Sequence, residues 1–251
     1  KLSKNISNSD KLMTRATPGL FITGTNTEVG KTYIASLIIQ ALVRSGIRVG
    51  VYKPAASECP LENGEHLSPD AQQLWEAAGQ PGSLEQVCPQ RFVAPLAPHL
   101  AAQAEGRQVD AELLRTGLSY WRDNYDFVVV EGIGGLMSPV SDEDYVADLA
   151  YEFGYPLLIV ASNELGCINQ TLQTLITAAA FEDGLPVVGT VLNNRQALPT
   201  DDISQATNFE EITRCSFPPV LASVPYQGSL DPAINWYELG AQFANLNRPS
   251  Q

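Results

Sequence analysis

Short apolar runs alternate along the chain with longer stretches in which apolar residues recur every three or four positions. The short runs are typical of buried strands, and the periodic stretches are typical of helices with one apolar face. The apolar runs span residues 20–23, 49–53, 127–130, 156–161 and 187–192. The periodic stretches span residues 31–45, 70–78, 110–124, 145–153 and 168–181. This alternation predicts an α/β fold with a mostly parallel sheet and helices on both faces.

Other parts of the chain are less regular. Residues 54–69 and 79–98 are rich in proline, glycine and serine, which predicts long loops. Loops of this length in a compact domain are usually functional. Beyond residue 194 the pattern is weak, and it predicts only a strand at residues 220–224 and a helix at residues 236–245.

Composition and charge narrow the class of protein. We expect a disordered leader at residues 1–17, which lack the apolar segment of a secretory signal, and a single α/β domain at residues 18–251. The 28 acidic and 15 basic residues give a net charge of −13, which repels nucleic acid and anionic membranes. No apolar run reaches the length of a membrane span, and the four cysteines form no CxxC pair. We therefore expect a cytoplasmic protein that binds neither nucleic acid nor membrane.

One glycine-rich segment has the pattern of a phosphate-binding loop. Residues 24–32, GTNTEVGKT, lie between the first predicted strand and the first predicted helix. Small residues let backbone N–H groups surround an oxyanion, the helix N-terminus attracts it, and the lysine reaches the β- and γ-phosphates. Gly24 stands one residue earlier than the usual spacing from Gly30 requires. The segment predicts a P-loop nucleotide site, and the alternative is an ordinary turn that contains Gly-Lys-Thr.

Charged residues at the ends of two other strands point to the same site. Glu131 follows a buried apolar run, where an unpaired carboxylate would be costly, and Lys53 follows the second strand. Carboxyl ends of parallel strands share one edge of the sheet, so we expect both residues beside the phosphates. Nucleotide-bound Mg²⁺ takes a hydroxyl and one or two carboxylates, which suits Thr32, Asp70 and Glu131. The alternatives are a helix N-cap or first-turn acid for Asp70 and a solvated strand end for Lys53.

Several motifs in one order resemble the signature of the dethiobiotin synthase family. They are TGTNTEVGKT at residues 23–32, YKP at 52–54 with Ser57, APH at 97–99, VEGIGG at 130–135, and LGCIN at 165–169 with Asn193. An ordered set of motifs is more specific than any one of them. The resemblance covers residues 20–194, with a weaker similarity in VPY at residues 224–226.

The resemblance implies an enzyme of the P-loop NTPase-like α/β class, a cyclo-ligase that forms carbon–nitrogen bonds in biotin biosynthesis. In this family 7,8-diaminononanoate, CO₂ and ATP give dethiobiotin, ADP and phosphate, and Mg²⁺ is the cofactor. The implied route runs through a carbamate and a carbamic-phosphoric anhydride that closes to a cyclic urea. The segment 166–169 comes from the neighbouring subunit in the family, which implies a homodimer.

The resemblance also implies roles for individual residues. Lys53 and Lys31 would be catalytic, because they would stabilise the transferred phosphoryl group. The implied metal ligands are Thr32, Asp70 and Glu131. The implied nucleotide contacts are Glu28, Val29, Gly30, Lys31, Thr32, Tyr33, Asp70, Glu131, Gly132, Ile133, Gly134, Asn193, Asn194, Pro225, Tyr226 and Gln227. The implied contacts with the diamine are Thr27, Ser57, Gly135, Gly166, Cys167, Ile168 and Asn169.

The chain departs from the family at Asn26, where aspartate is common, and it diverges beyond Asn194. The alternative function is a nucleotide-switched, partner-binding ATPase of the ParA/MinD kind. Such proteins usually carry an additional lysine early in the phosphate loop, where this chain has Thr25 and Asn26, and often a basic amphipathic tail. A glutamine-dependent synthetase would need a further glutaminase domain, and the residues after Asn194 are too few for one.

Overall fold

The computed structural model describes residues 17–62, 64–197 and 203–243. Its strands are β1 Gly19–Gly24, β2 Val49–Tyr52, β3 Ala55–Ala56, β4 Leu61–Glu62, β5 Glu65–His66, β6 Gln90–Arg91, β7 Phe127–Gly135, β8 Leu157–Ser162, β9 Val187–Asn193 and β10 Val220–Val224. Its helices are α1 Lys31–Arg44, α2 Pro69–Ala77, α3 Leu84–Val87, α4 Pro98–Ala104, α5 Ala111–Asn124, α6 Val146–Phe153, α7 Cys167–Ala180, α8 Ser204–Cys215 and α9 Trp236–Ala241.

Six of these strands form one parallel sheet in the order β10-β9-β8-β1-β7-β2. Every residue of β1 and β8 is buried, so both faces of the central strands are covered. This burial explains why the runs are apolar throughout rather than alternating. The predicted α/β fold with a mostly parallel sheet is confirmed.

The strand order changes direction at β1, and this positions the site. The chain leaves β1 towards β2 on one side of the sheet and later returns to β8 on the other side, so the neighbours of β1 are β7 and β8. In open α/β sheets, ligands bind beyond the carboxyl ends of the strands at such a reversal. The phosphate loop predicted from the sequence follows β1 directly.

Side-chain caps define the starts of two helices. α2 begins after Ser68, whose Oγ accepts a hydrogen bond from Ala71 N at 3.2 Å. Asp70 is therefore the second residue of α2, so its interpretation as an N-cap is wrong and that of a first-turn acid is right. α5 begins after Asp110, whose Oδ1 accepts a hydrogen bond from Leu113 N at 2.9 Å.

Glycines such as those of residues 132–135 favour a loop, but this segment continues β7. Ile22 of β1 pairs with Glu131 of β7, and Gly24 of β1 pairs with Gly135 of β7. An advance of two residues along β1 therefore corresponds to an advance of four residues along β7. The two extra residues form a bulge, which lets β7 stay hydrogen-bonded while its backbone turns outward. Bulges of this kind are common beside active sites.

Further differences lie in the segments of weak periodicity. α3 and the short strands β3 to β6 occupy the stretches predicted as loops, and α4 and α8 correspond to no predicted element. The predicted helix at 236–245 is α9, and residues 244–245 lie outside the described part of the chain. So do residues 1–16 of the predicted leader, whereas Thr17 Oγ1 donates a hydrogen bond to Arg122 O at 2.7 Å. None of the described helices combines the length and the hydropathy of a membrane span.

Candidate active site

The predicted phosphate loop, residues 24–30, joins β1 to α1 at the carboxyl edge of the sheet. A Cβ at Gly24 would lie 2.6 Å from Asn26 O and 2.8 Å from Val29 Cγ2, so the loop folds back too closely for any other residue. This close approach explains why position 24 is a glycine. Gly30 has a φ of 90° and starts α1 without a side-chain cap, which leaves the first turn of the helix open to an anion.

Lys31, the first residue of α1, points back into this loop. Its buried Nζ donates a hydrogen bond to Asn26 O at 3.3 Å. Burial lowers the pKa of Lys31 to about 8, although the charge of Glu131 acts in the opposite direction. Oδ1 of Asn26 accepts a hydrogen bond from Thr27 N at 2.8 Å, so the neutral amide at this position braces the loop. A bound anion would favour the charged form of Lys31.

Lys53, Glu131, Asp70 and Thr32 meet beside this loop. Lys53 Nζ lies 2.5 Å from Glu131 Oε1 and 3.0 Å from Asp70 Oδ2. Thr32 Oγ1 donates a hydrogen bond to the same Glu131 oxygen at 3.0 Å. The side chains of Lys53 and Glu131 are 4% and 0% exposed, whereas that of Asp70 is 52% exposed. The interpretation of Lys53 as a solvated strand end is therefore wrong.

Opposing effects set the charge of Lys53. Burial alone would lower the pKa of Lys53, but the carboxylates of Glu131 and Asp70 outweigh burial and raise it above its ordinary value. The charge of Lys53 in turn lowers the pKa of Asp70, against the smaller effect of burial. Lys53 is therefore an ammonium group at neutral pH, and it lies between the side chains of Glu131 and Asp70.

One oxygen of this cluster has no hydrogen-bond partner within the described part of the chain. Oε2 of Glu131 is buried and accepts no hydrogen bond from the described residues. A buried carboxylate oxygen is costly without a donor or a cation. The described ranges contain no group of three or more His, Cys, Asp or Glu side chains placed to hold a metal ion, but Mg²⁺ on a nucleotide needs only a hydroxyl and one or two carboxylates. Thr32, Asp70 and Glu131 fit that set of donors.

A cleft of about 380 Å³ opens next to the phosphate loop. Thr25 and Asn26 form one side, residues 135–139 form a second, and α7 forms the third. The lining residues of α7 are Gln170, Gln173, Thr174 and Thr177, and the whole lining is uncharged. A Cβ at Gly134 would lie 3.4 Å from Thr27 Oγ1. The predicted diamine contacts Thr27 and Gly135 thus lie at or beside the cleft.

The other predicted diamine contacts are not brought to this cleft. Ser57 is half-buried after β3 and does not line it, and neither does the segment 166–169 of the same chain. Gly166 has a φ of 97° and caps α7, Cys167 is buried with its Sγ 3.9 Å from Thr171 Oγ1, and Asn169 is exposed. The N-terminus of α7 is therefore exposed, and its first residues do not line the cleft of their own chain.

Asn193, at the carboxyl end of β9, packs against the phosphate loop. Its Nδ2 donates a hydrogen bond to Val29 O at 3.0 Å, and a Cβ at Gly30 would lie only 2.0 Å from that nitrogen. The end of β9 and the phosphate loop therefore interlock. Contact between Asn193 and adenine stays a prediction.

The remaining predicted nucleotide contacts lie near the loop that follows β10. Asn194 Nδ2 donates a hydrogen bond to Val224 O at 2.9 Å, so this side chain ties β9 to β10. Tyr33 OH donates a hydrogen bond to Gly228 O, which holds residues 225–227 near the start of α1. The described contacts thus bring the divergent C-terminal region to the phosphate loop.

Two residues at the site lack a local sequence signal. Ser138 lines the cleft, and its Oγ accepts a hydrogen bond from Gly135 N at 2.9 Å. Arg195 Nη2 lies 3.9 Å from Glu28 Oε2 at the phosphate loop. The Arg195 contact joins residues far apart in the chain, and a serine after a glycine run is a common turn residue, so neither periodicity nor motif spacing indicates these residues.

Solved structures with a similar fold include P-loop ATPases. A ParA family ATPase from Chlorobium tepidum TLS has a TM-score of 0.50 at 18% identity, with 84% of each chain covered. The MinC:MinD cell division protein complex from Aquifex aeolicus gives 0.50 at 16% identity, covering 83% of this chain and 81% of that chain. Likeness at such low identity shows the fold alone, and it confirms the P-loop NTPase-like α/β class.

Sequence comparisons show the family. A family model described as "AAA domain" matches residues 18–233. The ATP-dependent dethiobiotin synthetase of Rhodopirellula baltica is 43% identical, with 81% of this chain and 82% of that protein covered. The protein of the same name from Anaeromyxobacter dehalogenans (strain 2CP-C) is 40% identical, with 83% and 90% covered. The chain therefore belongs to the ATP-dependent dethiobiotin synthetase family of cyclo-ligases.

Proposed function

We propose that the chain converts 7,8-diaminononanoate, CO₂ and ATP into dethiobiotin, ADP and phosphate. The observation that carries the proposal is the ammonium group of Lys53, held by Glu131 and Asp70 beside a phosphate loop. Transfer of a phosphoryl group to an anionic acceptor needs fixed positive charge where the negative charges meet. The names of the relatives support the same activity.

The nucleotide would lie along the phosphate loop. Backbone N–H groups of residues 28–33 would surround the phosphates, with Lys31 replacing its contact to Asn26 O by one to a phosphate oxygen. Residues 132–134 would pass alongside, and Asn193, Asn194 and residues 225–227 would lie around the base. Tyr33 supports that arrangement, because it joins α1 to the loop after β10.

The metal would be held by Thr32, Asp70 and Glu131. Oε2 of Glu131 has no hydrogen-bond partner among the described residues, which supports a cation there. Mg²⁺ would neutralise charge on the β- and γ-phosphates and orient them for transfer. Within the protein, Glu131 also fixes Lys53 and Thr32, and Asp70 fixes Lys53 from the solvent side. Residues of β7, α1 and α2 thus form one network of hydrogen bonds and ion pairs around Lys53.

The proposed reaction has three steps. One amine of the diamine adds to CO₂ and loses a proton, which gives a carbamate. A carbamate oxygen then attacks the γ-phosphorus of ATP, the bond to the bridging oxygen breaks, and ADP leaves. The second amine attacks the carbonyl carbon of the carbamic-phosphoric anhydride, and phosphate and a proton leave as the cyclic urea closes. Lys53 and Lys31 stabilise the charge of the second step.

The diamine would occupy the uncharged cleft. Thr27 and Gly135 lie at its phosphate-loop end, where an amine or carbamate would meet the γ-phosphate. Ser57 follows β3 and does not line the cleft, so its contact with the diamine stays a prediction. The neutral lining suits the methylene chain and neutral amine, because a nucleophilic amine must be unprotonated.

The carboxylate of the diamine would be bound by a second subunit. Residues 166–169 offer an open helix N-terminus, which binds anions, but they do not line the cleft of their own chain. Helix α7 carries no charged residue, and Ile176 on its surface is 67% exposed. An uncharged outer face with a large exposed isoleucine supports a protein partner there. We therefore propose a homodimer in which α7 lies at the interface.

Phosphate release from Mg-ATP and bicarbonate tests the proposal, with and without 7,8-diaminononanoate. Diamine-dependent release together with a cyclic urea of the expected mass would support the reaction. An analogue with one amine replaced by hydrogen is the matched control, since it can form a carbamate but cannot close the ring. With ¹⁸O-labelled CO₂ in a single turnover, the anhydride route requires label in the released phosphate, and unlabelled phosphate would contradict it.

The alternative is a nucleotide-switched ATPase of the ParA/MinD kind. It shares the fold, and release of phosphate that is independent of the diamine would favour it. The identities of 40% and more to proteins named dethiobiotin synthetase support the ligase. A cytoplasmic location and the absence of nucleic-acid and membrane partners stay predictions from composition.

A further inference from the structure

The segment between β7 and α6, residues 136–145, forms one side of the cleft, and we call it the wall segment. The cleft residues it contributes are Leu136, Met137, Ser138 and Pro139. The segment folds back on itself, because Val140 N donates a hydrogen bond to Asp144 O at 2.7 Å and Pro139 forms an antiparallel bridge with Tyr145. It is thus a compact turn between two elements of the site.

Ser138 joins the wall segment to the glycine end of β7. Its Oγ accepts a hydrogen bond from Gly135 N at 2.9 Å, and its own N–H donates to Gly135 O at 3.1 Å. A Cβ at Gly134 would lie 2.3 Å from Ser138 Oγ, so the hydroxyl lies directly over a position that only glycine can occupy. The placement of the wall segment therefore sets the placement of the Gly135 backbone.

Arg115 on α5 holds the other end of the wall segment. Its Nη2 donates a hydrogen bond to Asp144 Oδ1 at 2.7 Å, and its Nε donates to Glu152 Oε2 at 2.6 Å on α6. Ser141 Oγ donates to Asp144 Oδ2 at 2.6 Å. The side chains of Arg115 and Asp144 are 31% and 13% exposed, so this pair is better shielded than a surface ion pair.

We propose that Arg115 is a positioning residue for the diamine reaction. Arg115 fixes Asp144, Asp144 fixes the wall segment, and the wall segment fixes the width of the cleft and the Gly135 backbone. The inference rests on the proposed function, because the cleft is taken as the diamine site. The hydrogen bonds of Arg115 to described residues reach Ala111, Asp144 and Glu152, and none of these belongs to the phosphate loop or the Lys53 cluster.

The test is Arg115→Met, which keeps the length of the side chain and removes both ion pairs. We expect the KM for the diamine to rise about tenfold, in the range of couplings within hydrogen-bond networks. The kcat and the KM for ATP should stay within about twofold of the wild type, because the nucleotide side lies on other elements. Asp144→Asn should change the KM for the diamine in the same direction, which checks the route through the wall segment.

Arg214→Met is the matched control, since Arg214 pairs with Glu211 on the exposed face of α8, and all kinetic constants should be unchanged. If Arg115→Met does not fold, Arg115→Lys keeps the charge but loses the two-pronged geometry, and it should raise the same KM. The inference would be overturned if the wild type is active and Arg115→Met changes the KM for the diamine and the KM for ATP equally, or changes neither. A wild type without diamine-dependent turnover would overturn the proposed function instead.

Discussion

Lys53 and Glu131 form an ion pair that water hardly reaches, and the other Glu131 oxygen has no partner among the described residues. An ammonium and a carboxylate removed from water stabilise each other, but either one alone is costly. Asp70 differs, because its side chain is half-exposed and can be hydrated. The structure therefore predicts that loss of Lys53 affects the fold as well as the chemistry.

We expect Lys53→Met to lower the free energy of unfolding of the ligand-free protein by about 3–5 kcal/mol at pH 7, since Glu131 would be left buried and unpaired. Turnover should fall at least about 100-fold, because the variant loses charge stabilisation in the transition state. Urea denaturation measures the first effect, and phosphate release at a temperature where the variant is folded measures the second.

The double variant Lys53→Met/Glu131→Gln separates the two effects. It should regain most of the stability, because neither charge of the buried Lys53–Glu131 pair remains, and none of the turnover. Arg48→Met is the control for the loss of any cation, since Arg48 pairs with Asp126 at the surface. This substitution should change neither the free energy of unfolding nor the turnover. A double variant as unstable as the single one would rule out the buried charge as the cause.

At the scale of elements, α5, α6 and the wall segment are joined by the ion pairs of Arg115. The hydrogen bond from Arg115 lowers the pKa of Asp144, and the smaller effect of burial opposes it. A carboxyl group whose pKa is lower in the folded state stabilises the fold above its unfolded-state pKa of about 4. That stabilisation is lost as the pH falls through the folded-state pKa.

We therefore expect the stability difference between the wild type and Arg115→Met to depend on pH. The wild type should be more stable by about 1–2 kcal/mol at pH 7, where Asp144 is ionised and bonded to Arg115. The difference should shrink as the pH falls from about 4 through the lowered folded-state pKa of Asp144, because Asp144 then becomes protonated in the folded wild type as well. Thermal unfolding at a series of pH values measures it, and a constant difference down to pH 2.5 would contradict the assignment to Asp144.

Strands and helices with a clear pattern of apolar residues could be predicted from the sequence, and those without such a pattern could not. The buried strands and α1, α5, α6 and α7 were indicated by apolar runs or a periodic face. Helix α8 buries only Asn208 and Ile212, so its sequence shows no apolar face, and α4 has seven residues in a proline-rich stretch. Residues 132–135 look like a loop because glycines permit one, but pairing with β1 keeps them in the sheet.

The candidate site shows the same division. The phosphate loop is a local pattern, and its contacts follow from spacing. The meeting of Lys53 with Glu131 follows from one topological rule, that parallel strands end at one edge. The role of Arg115 depends on contacts with Asp144 and Glu152, far along the chain, so no local pattern indicates it.

At the scale of the whole molecule, α7 is a surface helix without charged residues. Its 14 residues include no charge, and both Leu165 before it and Ile176 on its surface are exposed. The same helix lines the cleft through Gln170 and Thr174. A partner on the outer face would therefore lie close to the diamine site, in agreement with the proposed homodimer.

We expect Ile176→Glu to shift the protein from dimer to monomer in sedimentation velocity, because a charge would be buried in the interface. Diamine-dependent turnover should fall with it, since residues 166–169 could no longer reach the neighbouring site, while binding of Mg-ADP should persist. Leu61→Glu, at an exposed position on β4, is the control and should leave the dimer intact. A fully active monomer would argue against a shared site.

The interlocking of Asn193 with Gly30 limits how this protein could change its choice of nucleotide. One amide nitrogen both stands where adenine is expected and holds the carbonyl of Val29 in the phosphate loop. A substitution that altered preference for the base would also release that carbonyl and weaken the grip on the phosphates. With Asn193 as the predicted adenine contact, base selectivity and phosphate affinity would be coupled, and a change in either one would require substitutions on both sides of the contact between Asn193 and the phosphate loop.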